Sequence, residues 1–190
     1  MKPNLFLAGN PKSGTTAIYE YLDSHSSITM SDPKELHVLD QDTWDATEYV
    51  KEFRSYENEY VGEASPTYFH DAQAMNRVKA VNEDAKILVS LRNPASFLVS
   101  WHEHQRRRQG NNPLSVDDVF SDEHASFNED WVAYTEGVQR ALDLFGASNV
   151  HVIIYERFKN DNQGVMDEVF SFLGVEPIAL ETATYNQSVS

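Results

Sequence analysis

Gly9-Asn10-Pro11-Lys12-Ser13-Gly14-Thr15-Thr16 joins two stretches of opposite character. Before it, Leu5-Phe6-Leu7-Ala8 is a short apolar run of the kind that forms a buried strand. After it, Ala17, Ile18, Tyr21 and Leu22 fall on one face of a helix that starts near Thr15, with Glu20 and Asp23 elsewhere. The loop therefore lies at a helix N-terminus, where backbone N–H groups are unpaired and a partial positive charge gathers. Small residues let the oxygens of an anion approach that backbone. Ser13, Thr15 and Thr16 add hydroxyl donors, and Lys12 adds a full positive charge. This combination reads as a phosphate-binding loop; the plainer reading is a tight strand–helix turn with a solvated lysine.

The spacing of Gly9 and Gly14 matches the glycines of a nucleoside-triphosphate loop, but that motif needs lysine directly after its second glycine, where Thr15 stands here. With the lysine on the loop itself, its charge falls beside the bridging oxygen of a 5′-linked group rather than on a β,γ-phosphate pair.

Further along, strands and helices alternate. Residues 27–60 are hard to read beyond a turn at Ser31-Asp32-Pro33, a short helix from Trp44 to Phe53 and a short strand at Tyr60-Val61-Gly62. Asp71 is placed to cap a helix running to about Val81. Ile87-Leu88-Val89-Ser90-Leu91 is the clearest buried strand, and Pro94 suits the first turn of a helix reaching Arg107, ahead of a Gly110-Asn111-Asn112-Pro113 break. A helix over Trp131–Phe145 closed by Gly146, a strand over Val150–Tyr155, and a helix capped by Asp161 or Asn162 and ending near Leu173 complete the series. The expected fold class is α/β: a P-loop-like three-layer fold with a short central parallel sheet flanked by helices.

In such a sheet ligands bind beyond the C-terminal ends of the strands. Arg92 follows the Ile87–Leu91 strand at that end, and its planar fork suits a phosphate monoester. Ser100 lies about two turns into the next helix. Alone, Arg92 reads as a strand-end arginine paired with an acid; beside the first loop it reads as a second phosphate site.

Composition narrows the partners. The chain has 190 residues, which favours one domain spanning 1–190, and a net charge of −15. That charge argues against nucleic acid, whose phosphates need a basic surface, and against an anionic membrane. No cysteine is present, which excludes disulfides, thiolate metal sites and cysteine nucleophiles. No apolar run approaches the ~20 residues of a membrane span, and Leu5 to Ala8 is too short for a signal-peptide core. A cytoplasmic protein is expected. No metal-ligand cluster stands out. His102 and His104, two apart on a helix, point in different directions and read as surface residues.

Pro11-Lys12-Ser13-Gly14-Thr15-Thr16 resembles the 5′-phosphosulfate loop of the sulfotransferase superfamily, in the form typical of its cytosolic members. Arg92-Asn93-Pro94 with Ser100 resembles the superfamily's 3′-phosphate signature, in the same order and at a similar separation. The resemblance implies 3′-phosphoadenosine 5′-phosphosulfate (PAPS) as co-substrate, 3′,5′-adenosine bisphosphate (PAP) as product, and no metal. By the same resemblance Lys12 touches the leaving oxygen, Ser13, Gly14, Thr15 and Thr16 hold the 5′-phosphate, and Arg92 and Ser100 hold the 3′-phosphate. Lys34-Glu35-Leu36-His37-Val38-Leu39-Asp40 resembles the Glu-x-His-Phe-Phe-Asp stretch of heparan-sulfate-type members, which implies Glu35 as the base, with His37 as rival. Gly62-Glu63-Ala64-Ser65-Pro66-Thr67-Tyr68 resembles a Glu-Lys-Ser-Pro-x-Tyr segment in which Ala64 replaces lysine. Tyr155-Glu156 resembles the late Tyr-Glu-Asp-Leu, which implies contact between Tyr155 and adenine; ordinary packing is the other reading.

The expected function is transfer of a sulfuryl group from PAPS to a hydroxyl or amine of a small-molecule or glycan acceptor by in-line displacement. Arg106-Arg107-Arg108 is the only basic run; it reads as a solvated helix end or as an attractor for an anionic glycan. Acceptor choice is expected in loops around residues 35–60 and 105–130. The late Gly-x-x-Gly-x-x-Lys segment of cytosolic relatives does not appear, which leaves either a minimal member or one whose C-terminal part is missing. A small-molecule kinase on the related fold and a non-catalytic nucleotide-binding relative are the alternatives.

Overall fold

In a computed structural model of the chain, residues 2–53, 57–108, 115, 117 and 129–180 are described. The Gly110–Pro113 break, most of the expected 105–130 acceptor loop and the last ten residues lie outside them. Among the described residues five parallel strands form one sheet in the order β2-β3-β1-β4-β5. They are β1 (Leu5–Gly9), β2 (Ile28–Met30), β3 (Tyr60–Glu63), β4 (Lys86–Leu91) and β5 (Val150–Ile154).

Alternation along the strands builds two cores. Leu5 and Leu7 of β1 and Leu88 of β4 face α1 (Thr15–Asp23) and the late helix over Asn162–Leu173. Phe6 and Ala8, with Ile87 and Val89, face α3 (Ala72–Val81) and the helix Tyr134–Phe145 on the other side. A strand exposes successive side chains to opposite faces, so a continuous apolar run such as Leu5–Ala8 requires cover on both. The result is the expected three-layer α/β arrangement. Between α1 and α3 lies the short α2 (Ala46–Tyr49); after β4 come α4 (Pro94–Arg108), α5 (Tyr134–Phe145), α6 (Tyr155–Asn160) and α7 (Asn162–Leu173).

Caps fall where the sequence places them. Asp71 accepts from the backbone of Gln73 and Ala74, and Asp161 from that of Gly164. One strand and three boundaries differ from expectation. β2 escaped notice because three residues carry no readable alternation. The helix expected from Trp44 to Phe53 shrinks to α2, a single turn capped by Asp45, and a 3₁₀ turn over Val50–Glu52. Trp131 belongs to a 3₁₀ turn at Glu129–Val132 ahead of α5. Tyr155 opens α6 instead of ending β5. Among the described residues no helix is long and apolar enough to cross a membrane.

Candidate active site

The loop after β1 and the residue after β4 meet at the C-terminal edge of the sheet. Arg92 Nη1 donates to the Lys12 carbonyl oxygen at 2.9 Å. Beneath them the Ser90 hydroxyl donates to the Ser13 carbonyl at 2.6 Å, and the backbone N–H of Asn10 donates to the Ser90 carbonyl at 2.8 Å. The loop is thus tied to the neighbouring strand, and the two segments expected to hold phosphates are neighbours.

Within the loop, Gly14 caps α1 with φ 79°, a left-handed conformation that costs glycine nothing. A Cβ there would stand 3.1 Å from the Tyr155 ring, so glycine also admits that ring. Tyr155 in turn lies under the Arg92 guanidinium, 4.8 Å from ring centroid to Cζ. Arg92, Tyr155 and Gly14 therefore share one wall. Ser13 is fully buried, with its hydroxyl turned to the Pro11 carbonyl at 3.3 Å, and Thr15 is buried while Thr16 is exposed. Ser100 lies half-buried on α4. Arg92 Nε is buried and has no hydrogen-bond partner among the described residues. A shielded guanidinium N–H without an acceptor costs free energy, and an anion at this wall would supply one.

Lys12 has φ 59°, and its ammonium points toward α4, with Nζ 3.4 Å from His104 Nδ1. Burial lowers its pKa, the charges of Arg107 and Arg92 lower it further, and Glu35 opposes them. His104 is depressed by burial first and then by Lys12, Arg108 and Arg107, while Glu35 again opposes. Lys12 and His104 thus both feel the charges of Glu35 and Arg107, which places these groups near one another. Sequence reasoning placed His102 and His104 on the surface; His104 instead faces Lys12, and His102 Nε2 is shielded from solvent. The missed signal was position: His104 lies one helical turn beyond Ser100, on the same helix face.

Glu35 sits opposite, on the loop between β2 and α2. The carboxylate accepts from the neighbouring Lys34 ammonium and from His37 Nε2 at 3.4 Å. Hydrogen bonding to His37 leads the effects that lower the Glu35 pKa to about 2, against the opposing pull of burial. His37 Nδ1 also meets Asp40 Oδ2 at 2.9 Å, and the two carboxylates, Asp40 first, raise its pKa to about 9.

The Ser65–Tyr68 segment anchors this loop. The His37 amide donates to Ser65 Oγ at 3.1 Å, the Leu39 amide to Tyr68 Oη at 3.0 Å, and Thr67 Oγ1 donates to Asp40 Oδ2 at 2.8 Å. Arg77 holds the Leu39 and Gln41 carbonyls from α3 at 2.8 and 2.5 Å. Leu39, at an aromatic position of the resembled stretch, is fully buried in the second core, and Ala64 is fully buried in the first. Arg106 pairs with Glu103 at 2.9 Å, and all three arginines of the basic run are exposed.

A three-layer α/β fold with a lysine- and hydroxyl-bearing loop after its central strand and a strand-end arginine against that loop is an α/β protein shaped to receive an anionic ligand at its sheet edge. Comparison narrows the class: residues 2–188 match the sulfotransferase domain family, and the chain belongs to it. This is a family of PAPS-dependent sulfotransferases. A sulfotransferase from Alicyclobacillus acidocaldarius superposes with a TM-score of 0.84 at 28% identity, covering 100% of this chain and 87% of that one. Mouse sulfotransferase SULT7A1, solved with PAP, shares the fold at a TM-score of 0.59 and 18% identity, over 94% of this chain and 60% of that one. Mouse bifunctional heparan sulfate N-deacetylase/N-sulfotransferase 4 is 27% identical over 92% of this chain, and the human type 3 protein is 25% identical. The chain spans about 22% of the length of each of these two bifunctional proteins.

Proposed function

We propose that residues 1–190 work as one domain that transfers a sulfuryl group from PAPS to a hydroxyl or amine of a small-molecule or glycan acceptor. The observation that carries this reading is the hydrogen bond between Arg92 and the Lys12 carbonyl, because it sets two anion-binding segments side by side at the sheet edge. The buried, partnerless Arg92 Nε and the glycine-lined wall under Tyr155 fit the adenosine end of the donor.

The donor, when bound, supplies the sulfuryl group and a phosphate leaving group. Ser13 to Thr16 and the start of α1 hold the 5′-phosphate through backbone N–H groups, with the Thr15 and Thr16 hydroxyls as further donors, the Ser13 hydroxyl being turned to the Pro11 carbonyl. Arg92 and Ser100 hold the 3′-phosphate, and Tyr155 packs against adenine. Lys12 places its ammonium where negative charge develops on the leaving oxygen. Glu35 takes the proton from the acceptor. Asp40 and Glu35 raise the His37 pKa to about 9, which favours the imidazolium at neutral pH and so supports Glu35 over His37 as the base. Lysine and helix-end N–H groups meet the need for positive charge, since a sulfuryl group carries less negative charge than a phosphoryl group.

Calorimetric titration with PAP and with ATP tests the donor assignment, and transfer of radiolabelled sulfate to amine and hydroxyl acceptors tests turnover. Tight binding of PAP without comparable binding of ATP is expected. Equal affinities, or no binding of PAP, would remove the donor assignment.

A further inference from the structure

A closed circuit of hydrogen bonds runs behind the two phosphate segments. Asn10, fully buried, donates through Nδ2 to Tyr134 Oη at 3.3 Å. Tyr134 donates its hydroxyl proton to the Arg92 carbonyl at 2.8 Å. Arg92 donates to the Lys12 carbonyl at 2.9 Å, and Pro11 returns the chain to Asn10. A tyrosine hydroxyl has one proton and two lone pairs, so accepting from Asn10 while donating to Arg92 uses it without conflict. The amide of Asn10 is itself oriented: Oδ1 accepts from His70 Nε2 at 2.8 Å, and Nδ2 also donates to the Trp131 carbonyl at 3.0 Å. Tyr134 is the first residue of α5, a helix that also packs on the core through Ala141 and Phe145, so its ring is held by an element outside both phosphate segments.

We propose that Tyr134 is a positioning residue that fixes the spacing between the 5′-phosphate loop and the 3′-phosphate arginine through its bridge from Asn10 to the Arg92 carbonyl. The inference rests on the function proposed above. A ligand with one phosphate needs only one of the two segments in place. A ligand with both gains its full affinity only if their separation is set before it arrives, because otherwise binding must supply the ordering. Tyr134 touches neither phosphate position by this reading; it acts through Asn10 and Arg92.

The test compares wild type with Tyr134→Phe, which keeps the ring and removes the hydroxyl. Calorimetry is run with PAP, adenosine 5′-monophosphate and adenosine 3′-monophosphate. The PAP Kd is expected to rise about tenfold, the scale of one or two lost buried hydrogen bonds, with each monophosphate changed less than about twofold. In sulfate-transfer assays the donor KM rises by the same factor while kcat holds within about twofold. Unchanged PAP affinity in Tyr134→Phe overturns the inference, as does equal weakening of all three ligands, which would mark a purely structural hydroxyl. Failure of the wild type to bind PAP at all removes the proposed function instead, and this inference with it.

Discussion

Arg92 donates to the Lys12 carbonyl at 2.9 Å, although 80 residues separate them in the chain. The contact puts a guanidinium beside the loop that carries the proposed leaving-group lysine, and leaves Nε, also buried, without a partner among the described residues. Arg92→Ala should therefore weaken PAP binding about 10- to 100-fold, the range for losing charge-assisted hydrogen bonds to a phosphate. Adenosine 5′-monophosphate should lose far less. Arg92→Lys should recover only part of the affinity, because a point charge cannot reproduce the fork. Calorimetry with the three proteins checks this; PAP affinity untouched in Arg92→Ala would place the 3′-phosphate elsewhere.

Lys12→Ala should act mainly on turnover. Its ammonium is proposed to meet charge that develops on the leaving oxygen, so its removal costs the transition state more than the ground state. A fall in kcat of about 10²–10³ is expected, as for loss of a single oxyanion donor, with PAP affinity within about threefold of wild type. Single-turnover sulfate transfer measures it, and an intact kcat would end the leaving-group role.

β1 and β4, and the loop between β1 and α1, were legible because unbroken apolar runs need cover on both faces and because lysine, glycine and hydroxyls rarely meet at a strand–helix junction by accident. β2 was not legible: Ile28, Thr29 and Met30 are too few to show a period. Nor was the backbone of the site. Outside glycine, positive φ occurs among the described residues at Lys12, Glu35 and His37, each proposed to work at or beside the chemistry. Such conformations cost side-chain-bearing residues on the order of 1–3 kcal/mol and are imposed by surrounding packing, here Leu39 in the core and the Ser65 and Tyr68 hydroxyls. Propensity carries no trace of that. The approach of His104 to Lys12 was missed for a related reason: adjacency on one helix said nothing of the loop it faces across the sheet edge.

The choice between Glu35 and His37 has a pH signature. With a hydroxyl acceptor, which does not titrate near neutrality, Glu35 as base predicts kcat/KM nearly flat from about pH 5 to 8, because its pKa is lowered to about 2. His37 as base predicts a rise of roughly tenfold per pH unit toward its raised pKa of about 9. His37→Asn should survive as an enzyme and shift the acid limb upward, since the Glu35 carboxylate loses its strongest partner. Stability follows the same groups. His37 is raised from 6.5, so its contribution is full below 6.5 and fades as pH climbs through about 9. The Tm gap between wild type and His37→Asn should close over that interval. A rate that climbs steadily to pH 9 would transfer the base role to His37.

Glu63 ends β3 fully buried, and neither carboxyl oxygen has a hydrogen-bond partner of good geometry among the described residues. Burial is the first cause of a pKa raised from 4.5 to about 8, with the nearby Tyr68 and Tyr49 side chains opposing it. The folded protein therefore keeps a proton that the unfolded chain releases. Between about pH 4.5 and 8 the unfolded state binds fewer protons, so this group's contribution makes stability fall as pH rises, with no further loss above about 8. Glu63→Gln preserves the shape and removes the titration. Its Tm should match the wild type within a few degrees near pH 4.5 and exceed it by a growing margin up to about pH 8. Glu63 lies next to Ala64 and the Ser65–Tyr68 anchor of the Glu35 loop, so the same variant should leave kcat near its wild-type value at pH 6, where the native carboxyl is already neutral. Thermal melts across this range decide it: a constant Tm difference would mean that Glu63 ionises freely in the folded protein.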